Sequence, residues 1–474
     1  MRNARKLISH LLLIIIFSFS SSLASVADGI PSKFTFHGAG YGHGVGMSQI
    51  GARGLALQGS NAIEILQYFY KDVSVEDIKD DQNLRINIGH LVSIFSLRTE
   101  TQSAQIQIYA GDIKDSTSAT PIKILPAKAS LNFTLLGNSA IPSVTTTTGV
   151  VEPLASGKSW TIRWSGTRYL SGSNAVVTLK NGNSNAKYRY GQIQVKLVKV
   201  SLLGYRIEIT NSVRLHDEYL WGIGEVPSSW PFAALQAQAI ASRTYALNKL
   251  GKIRVACDCD LYNASQDQAF IGYSKESEPK YGKIWKSAVS STSVESDTGL
   301  AVLYKSRPIG TFFFSSSGGQ TESAKNAWGT DLPYLASVDD PWSLDPTINP
   351  RYFDWVREVN QSLLATIFGL PDVVFIEVLG LHDSSTQLKI AGTSSSGKRI
   401  VITGEQFRSR TRLPSAWFEV VGPEIIEASP SPSPTPTQSV SPSTSPSPTE
   451  LTTPSGSPSV GVQDGVQPAP SASS

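Results

Sequence analysis

The sequence predicts an α+β fold with a cleft, and three stretches carry that expectation. Residues 83–207 are short runs of Val, Ile and Thr, such as LRINIGHLVSIFSL, SWTIRWSG and GQIQVKLVKV, broken by Gly, Asn and Ser. Their alternation at period two predicts antiparallel strands. Residues 232–250 are alanine-rich and end at Gly251, which predicts a helix; Ser228 or Ser229 offers an N-cap and Pro231 suits the first turn. Residues 38–46 place glycine at every second position. In an extended segment this strips one face of side chains and points Ala39, Tyr41, His43 and Val45 to the other.

Taken in order, the chain of 474 residues divides into five stretches. In residues 1–27, Arg2, Arg5 and Lys6 precede an apolar run over 7–19 and Ser25-Val26-Ala27 fits a signal-peptidase site, which reads as a secretory signal peptide. The run is shorter than the ~20 residues a spanning helix needs, and no other segment is apolar enough to cross a bilayer. The expectation is a secreted, extracellular protein with no membrane span in the mature chain. Residues 28–75 hold the glycine-rich motif and helical pattern, and residues 76–200 are strand-rich. Residues 201–425 form the core that carries the candidate chemistry. Residues 426–474 are almost wholly Ser, Pro, Thr, Gly and Val and predict a disordered, polyproline-like tail.

Charge excludes one class of partner. Of 41 basic residues three lie in the leader, so the mature chain has as many basic as acidic residues, the latter being 38. A formally neutral chain is not expected to bind nucleic acid. Two cysteines, Cys257 and Cys259, do not make a disulfide framework.

The most informative stretch is 219–245, YLWGIGEVPSSWPFAALQAQAIASRTY. It sets Glu225 in an apolar turn among Val226, Pro227, Trp230 and Pro231, atoms that solvate an anion poorly. That environment raises a carboxylic acid's pKa and suits it to general-acid work. The plainer alternative is that Glu225 only places negative charge at the start of the following helix. Along that helix Gln238, Ser242 and Tyr245 share one face, as do Gln236 and Arg243; each polar group either lines a groove or caps a neighbouring loop.

This stretch resembles the signature of the stage II sporulation protein D family, also called the amidase-enhancer family. The matching elements are Glu225-Val226-Pro227, Trp230-Pro231, Ala234-Leu235-Gln236-Ala237-Gln238-Ala239 and Ser242-Arg243-Thr244-Tyr245. Val226 replaces the usual methionine and Ser242 the usual alanine. Ser315 to Glu322 with Trp328-Gly329 and Pro333-Tyr334-Leu335, and the segment 404–418, are similar to further family elements. So is Gly42 to Ala52, GHGVGMSQIGA, which in the family usually follows the segment matching 404–418. Here it comes first, which implies a circularly permuted order, tolerable when the original termini lie close together.

The resemblance implies a cell-wall enzyme that cleaves peptidoglycan glycan strands as a lytic transglycosylase with Glu225 as acid/base, or a non-catalytic wall-binding enhancer of a cell-wall amidase. Glycoside hydrolysis usually needs two carboxylates. Asp217 and Glu218 lie too near Glu225 in sequence to face it across a substrate, and Glu322 has no motif to support it. A single acid is enough for lytic cleavage, where the substrate's own hydroxyl is the nucleophile. His43, Ser48, Gln49, Gln238, Arg243 and Ser317 are the candidates to bind sugar groups.

Some family members have zinc ligands near Cys257-Asp258-Cys259. Thiolates one residue apart make a poor half-site, since zinc ligand pairs stand ~2–4 residues apart. A short-loop disulfide is the favoured reading, and no metal or cofactor is expected. A zinc hydrolase using His43 and the cysteines ranks third.

Overall fold

A computed structural model describes residues 30–116 and 118–424. The expected signal peptide and tail lie outside the described residues. Helices and strands mix as the α+β expectation required.

The strand-rich region folds as two facing antiparallel sheets. One has seven strands in the order Leu261–Tyr262, Asn83–Val92, Gly204–Arg214, Gln192–Val200, Ser159–Trp164, Ile106–Ala110 and Lys123–Ile124. Only Leu261–Tyr262 joins it in parallel. The other has six, in the order Val151–Pro153, Ser139–Thr145, Ser130–Leu136, Ile94–Thr99, Val177–Asn181 and Ser184–Tyr188. Their inner faces share one core, where Phe133 stacks on Phe95 at 4.8 Å and meets Trp160 of the opposite sheet edge-on at 5.2 Å. Strand Ser139–Thr145 alternates buried and half-buried as a strand with one covered face must. Strand Gly204–Arg214 is buried almost without break from Ile207 to Val213, because helices cover the face that the second sheet does not. The boundary drawn at residues 200/201 falls in the turn of the Gln192–Val200/Gly204–Arg214 hairpin, so the strand-rich region and the core share a sheet.

Helix Phe232–Lys249 is the pivot of the molecule. Twelve of its 18 residues are buried. Leu235, Ala239, Tyr245 and Ala246 join the sandwich core, while Ala237, Ile240 and Ala241 join a second cluster with Val45, Met47, Ile65, Leu66 and Phe69 from the N-terminal part of the chain. A helix packed on two sides needs small residues, which is the physical reason for its alanines. Its start carries no side-chain cap; the expected cap Ser228 instead donates to the Glu278 carboxylate at 2.6 Å.

A third cluster gathers Phe34, Phe36, Trp355, Phe368, Phe407 and Phe418. Strand Lys33–Ala39 is the middle strand of a sheet there, paired antiparallel to Trp355–Asn360 on one side and Trp417–Glu424 on the other. The chain then runs through the glycine motif to Met47–Ser48, parallel to Phe313–Phe314, and into helix Gln49–Leu57, which packs on Phe232–Lys249. The N-terminal segment thus ties the third cluster to the second.

A helix without a solvent face must satisfy its polar side chains internally. Arg243, fully buried, donates from Nε to Asp80 at 2.6 Å and from Nη1 to Thr292 Oγ1 and the Leu300 carbonyl at 3.0 and 3.1 Å. The other oxygen of Asp80, also fully buried, meets His216 Nδ1 at 2.7 Å. Gly299 is bare because a Cβ there would lie 2.7 Å from the Arg243 guanidinium carbon. Asp80→Ala is therefore expected to destabilise the protein by about 3–5 kcal/mol, since it leaves a buried cation unpaired, and Asp80→Ala with Arg243→Met to recover most of that loss. Urea unfolding of the two variants measures this; a loss below about 1 kcal/mol in the single variant would show that Asp80 is not the counter-charge.

Candidate active site

Glu225 sits at the end of a short chain of turns, Leu215–Tyr219 and Leu220–Gly222, that leaves the sandwich core. Residues 222–224 run alongside 269–271: Gly224 N–H donates to the Ala269 carbonyl, and Ile271 N–H to the Gly222 carbonyl, both at 2.8 Å. Gly222 permits this approach, since a Cβ there would meet the Phe270 ring at 2.4 Å. The pairing brings the Glu225 carboxylate onto the Ala269 N–H, which it accepts at 2.5 Å.

The side chain remains partly exposed, yet its carboxyl group is crowded enough that burial raises its pKa above the ordinary glutamate value. The Ala269 amide opposes the rise only in part, and no cation contributes. The crowding differs from the sequence expectation. Val226 is buried, but Pro227 is exposed and Trp230 lies under the Arg53 guanidinium at 5.7 Å. Tyr219 and Tyr245 are the side chains close enough for Glu225's charge to raise their own pKa values. Lys275, buried behind the turn, donates to the Val226 carbonyl at 2.7 Å and fixes its path.

Three of the candidate residues form one hydrogen-bonded chain. Gln49 Nε2 reaches the Glu225 backbone carbonyl at 3.5 Å and Gln238 Oε1 at 3.2 Å, and Gln238 Nε2 donates to Ser242 Oγ at 3.1 Å. The N-terminal motif and the acid are therefore neighbours, although 176 residues separate Gln49 from Glu225.

The other candidates lie elsewhere. Ser48 and Ser317 are fully buried around Asp340: Ser317 Oγ donates to Asp340 Oδ2 at 2.7 Å, Ser343 bridges to both serines, and Ser48 caps helix Gln49–Leu57 through the Gly51 N–H at 2.9 Å. Arg243 is spent on Asp80. These three side chains are internal struts and present nothing to a sugar in this structure, because each hydroxyl or guanidinium that the motif supplies is needed to satisfy buried groups.

His43 also departs from expectation. Its Nδ1 accepts the Val45 N–H at 3.1 Å, and the Phe313 backbone forms a second hydrogen bond with the ring. Burial lowers its pKa to about 4, so it is neutral. Its ring stands 5.3 Å from Trp328 and 5.8 Å from Phe314, and it lines a cavity of about 470 Å³ whose lining includes Glu322 and Trp328 but not Glu225.

The glycine motif is not an extended ribbon with a bare face. Gly40, Gly42, Gly44 and Gly46 all have positive φ. The space beside them is filled by protein: a Cβ at Gly46 would strike the Phe312 carbonyl oxygen at 2.1 Å, and one at Gly44 the Trp417 ring at 2.6 Å. The glycines serve close backbone packing and left-handed turns.

Other carboxylates are engaged away from Glu225. Asp217 is paired with Arg214, Glu218 with Arg168, and Glu322 accepts from Ser323, Asn326, Ser384 and Thr386. Cys257 and Cys259 are joined in a disulfide, with Asp258 between them held by Arg85 at 2.5 Å and Lys196 at 2.7 Å. Oxidised thiols cannot serve as zinc ligands, and both sides of the His43 ring are occupied by backbone. Sequence reasoning missed Tyr219, Gln268 and Asp267. Tyr219 donates to Gln268 at 2.6 Å and Tyr245 to Asp267 at 2.9 Å, two bonds that wall the site. Asp267 and Gln268 lie in a loop, where no periodicity marks a residue.

The family description "Stage II sporulation protein" matches residues 204–296, the segment that contains Glu225 and helix Phe232–Lys249. The stage II sporulation protein D of Bacillus subtilis (strain 168) is 33% identical over 196 residues, 40% of this chain and 50% of that protein. That of Bacillus amyloliquefaciens is 28% identical over 222 residues, 43% of this chain and 59% of its own length. The amidase enhancer of Bacillus subtilis (strain 168) is 30% identical over 142 residues, 30% of this chain and 17% of that protein. The chain thus spans less than two thirds of each of these relatives. No solved structure matches it. Residues 204–296 thus match the stage II sporulation protein family, and over 30–43% of its length the chain is similar to stage II sporulation protein D and amidase-enhancer proteins.

Proposed function

We propose that this chain is an exported enzyme that cuts peptidoglycan glycan strands by lytic cleavage, with Glu225 as its acid and base. The observation that carries the reading is a carboxyl group raised by burial, resting on one backbone N–H, with no cation to hold it ionised. In the step, the Glu225 carboxyl donates its proton to the glycosidic oxygen as the C1–O bond breaks. The C6 hydroxyl of the same muramic acid residue then bonds to C1 and returns its proton to the carboxylate. The product is a 1,6-anhydro sugar, no water is consumed, and the acid is regenerated. Gln49 and Gln238, joined to the Glu225 turn, present amides beside it.

The antiparallel pairing of Lys33–Ala39 with Trp417–Glu424 supports a permuted order, in which the displaced motif docks from the N-terminal side of the same sheet. A disulfide in the described core fits an oxidising, extracytoplasmic location. A second reading, a non-catalytic enhancer that binds the wall and stimulates an amidase, is favoured by the relative named amidase enhancer.

Mass spectrometry of purified glycan strands after incubation separates the possibilities. Lytic cleavage leaves 1,6-anhydro ends, hydrolysis leaves reducing ends, and absence of product supports the enhancer. Glu225→Gln is expected to lower the rate of cleavage by about 10²–10⁴-fold. Cleavage at the wild-type rate by the folded variant would remove Glu225 from the chemistry.

The same substitution has a thermodynamic signature. A carboxyl group whose pKa is raised by folding contributes its full stability below the unfolded value, and loses it as pH rises through the folded value. The neutral amide has no such loss. Glu225→Gln should therefore gain stability relative to the wild type as pH rises above the unfolded glutamate value of about 4.3, read from urea midpoints. A difference that stays constant over that rise would show that Glu225 is not perturbed.

A further inference from the structure

We infer that the cavity beneath Trp328 is a second carbohydrate subsite, separate from Glu225, that takes an N-acetylated pyranose; the inference rests on the glycan-active reading above. Trp328 ends helix Ala324–Trp328, and Gly329, in the left-handed region, turns the chain away and leaves the tryptophan residue 40% exposed. The ring is braced from within the protein. Phe312 packs edge-on at 4.8 Å and His43 at 5.3 Å. His43, neutral and bonded to backbone, is a fixed wall and not a mobile charge. An exposed indole held in one place is a stacking platform whose ordering cost is met before a ligand arrives.

The cavity, about 470 Å³, lies in the size range of small-molecule sites. Its floor is set by Glu322, whose carboxylate ties residues 323 and 326 to Ser384 and Thr386 across the fold. Around it stand Asn326, Gln387 and Gln406, with Lys325 at the rim. Gln387 is the pointer to a ligand. It is 6% exposed, and its Nε2 donates to the Phe418 carbonyl, yet its buried Oε1 has no partner among the described residues. It lines this cavity and the adjoining one of about 720 Å³. An unpaired buried acceptor beside an aromatic platform suits a ring with one apolar face and an amide or hydroxyl donor at its edge, which an acetamido sugar supplies. Tyr245, whose pKa Glu225 raises, meets Phe312 at 5.9 Å, so the aromatic line Tyr245, Phe312, Trp328 joins the two places.

The test uses chitotetraose, the β-1,4-linked tetramer of N-acetylglucosamine, titrated calorimetrically into the Glu225→Gln protein, where cleavage does not intervene. Adding Trp328→Ala should weaken binding by about ten-fold or more, while Trp328→Phe keeps most of the affinity. In ¹⁵N-tryptophan-labelled protein the Trp328 indole resonance, assigned by its loss in Trp328→Phe, should shift with the same saturation curve, a readout that does not depend on the alanine variant folding. Unchanged affinity in folded Trp328→Ala, or an unmoved indole resonance at saturation, overturns the subsite. If the Glu225→Gln protein binds no chitotetraose although the wild type cleaves glycan strands, the subsite falls and the proposed function stands. If the wild type neither binds nor cleaves, both fall.

Discussion

One constraint organises the molecule: helix Phe232–Lys249 has almost no face of its own to give to water. It is shared between two hydrophobic clusters, so each polar group on it has to find a partner inside the protein. Arg243 draws in Asp80 from the loop before strand Asn83–Val92, and Asp80 in turn holds His216 in the turn that leads to Glu225. Thr244 bonds the Ile240 carbonyl and the Val302 N–H. Gln238 takes Gln49 from the N-terminal helix and Ser242 from its own. Sandwich, N-terminal segment and acid turn are placed relative to one another by what this helix cannot leave unsatisfied, because a buried polar group without a partner costs about 1–3 kcal/mol.

The same packing explains the character of Glu225. The turn is pressed against residues 268–271 closely enough that only glycine fits at position 222, and the carboxyl group is left with one amide donor and two tyrosine neighbours. A guanidinium at this spot would hold the group ionised and unfit to donate a proton. The available arginines are committed elsewhere: Arg243 to Asp80, Arg254 to Asp267 and Arg214 to Asp217. The acid is therefore kept apart from the charges that would tame it.

Much of the fold was legible from local pattern. Period-two alternation foretold strands such as Ser139–Thr145, and the alanine run with Gly251 foretold the central helix to within a residue. The position of Glu225 at the mouth of that helix was readable for the same reason. What pattern could not separate was a polar residue that faces a ligand from one that satisfies the interior. Arg243, Ser48 and Ser317 belong to the second kind, and the distinction depends on Asp80 and Asp340, which are remote in sequence. Alternate glycines likewise suggested a ribbon with one bare face, whereas Phe312 and Trp417 fill the gaps they leave. Trp328 went unmarked as a site because exposure of an aromatic is a tertiary property.

The central claim is that the fold keeps the Glu225 carboxyl group protonated beyond the range of an ordinary glutamate. Carboxyl ¹³C NMR of glutamate-labelled protein, with the Glu225 resonance identified by its absence in Glu225→Gln, measures this directly as pH is varied. The account expects that resonance to titrate clearly above the unperturbed value of about 4.3. A midpoint at or below it would contradict the account, since a carboxylate ionised that readily would not hold a proton for the glycosidic oxygen near neutral pH.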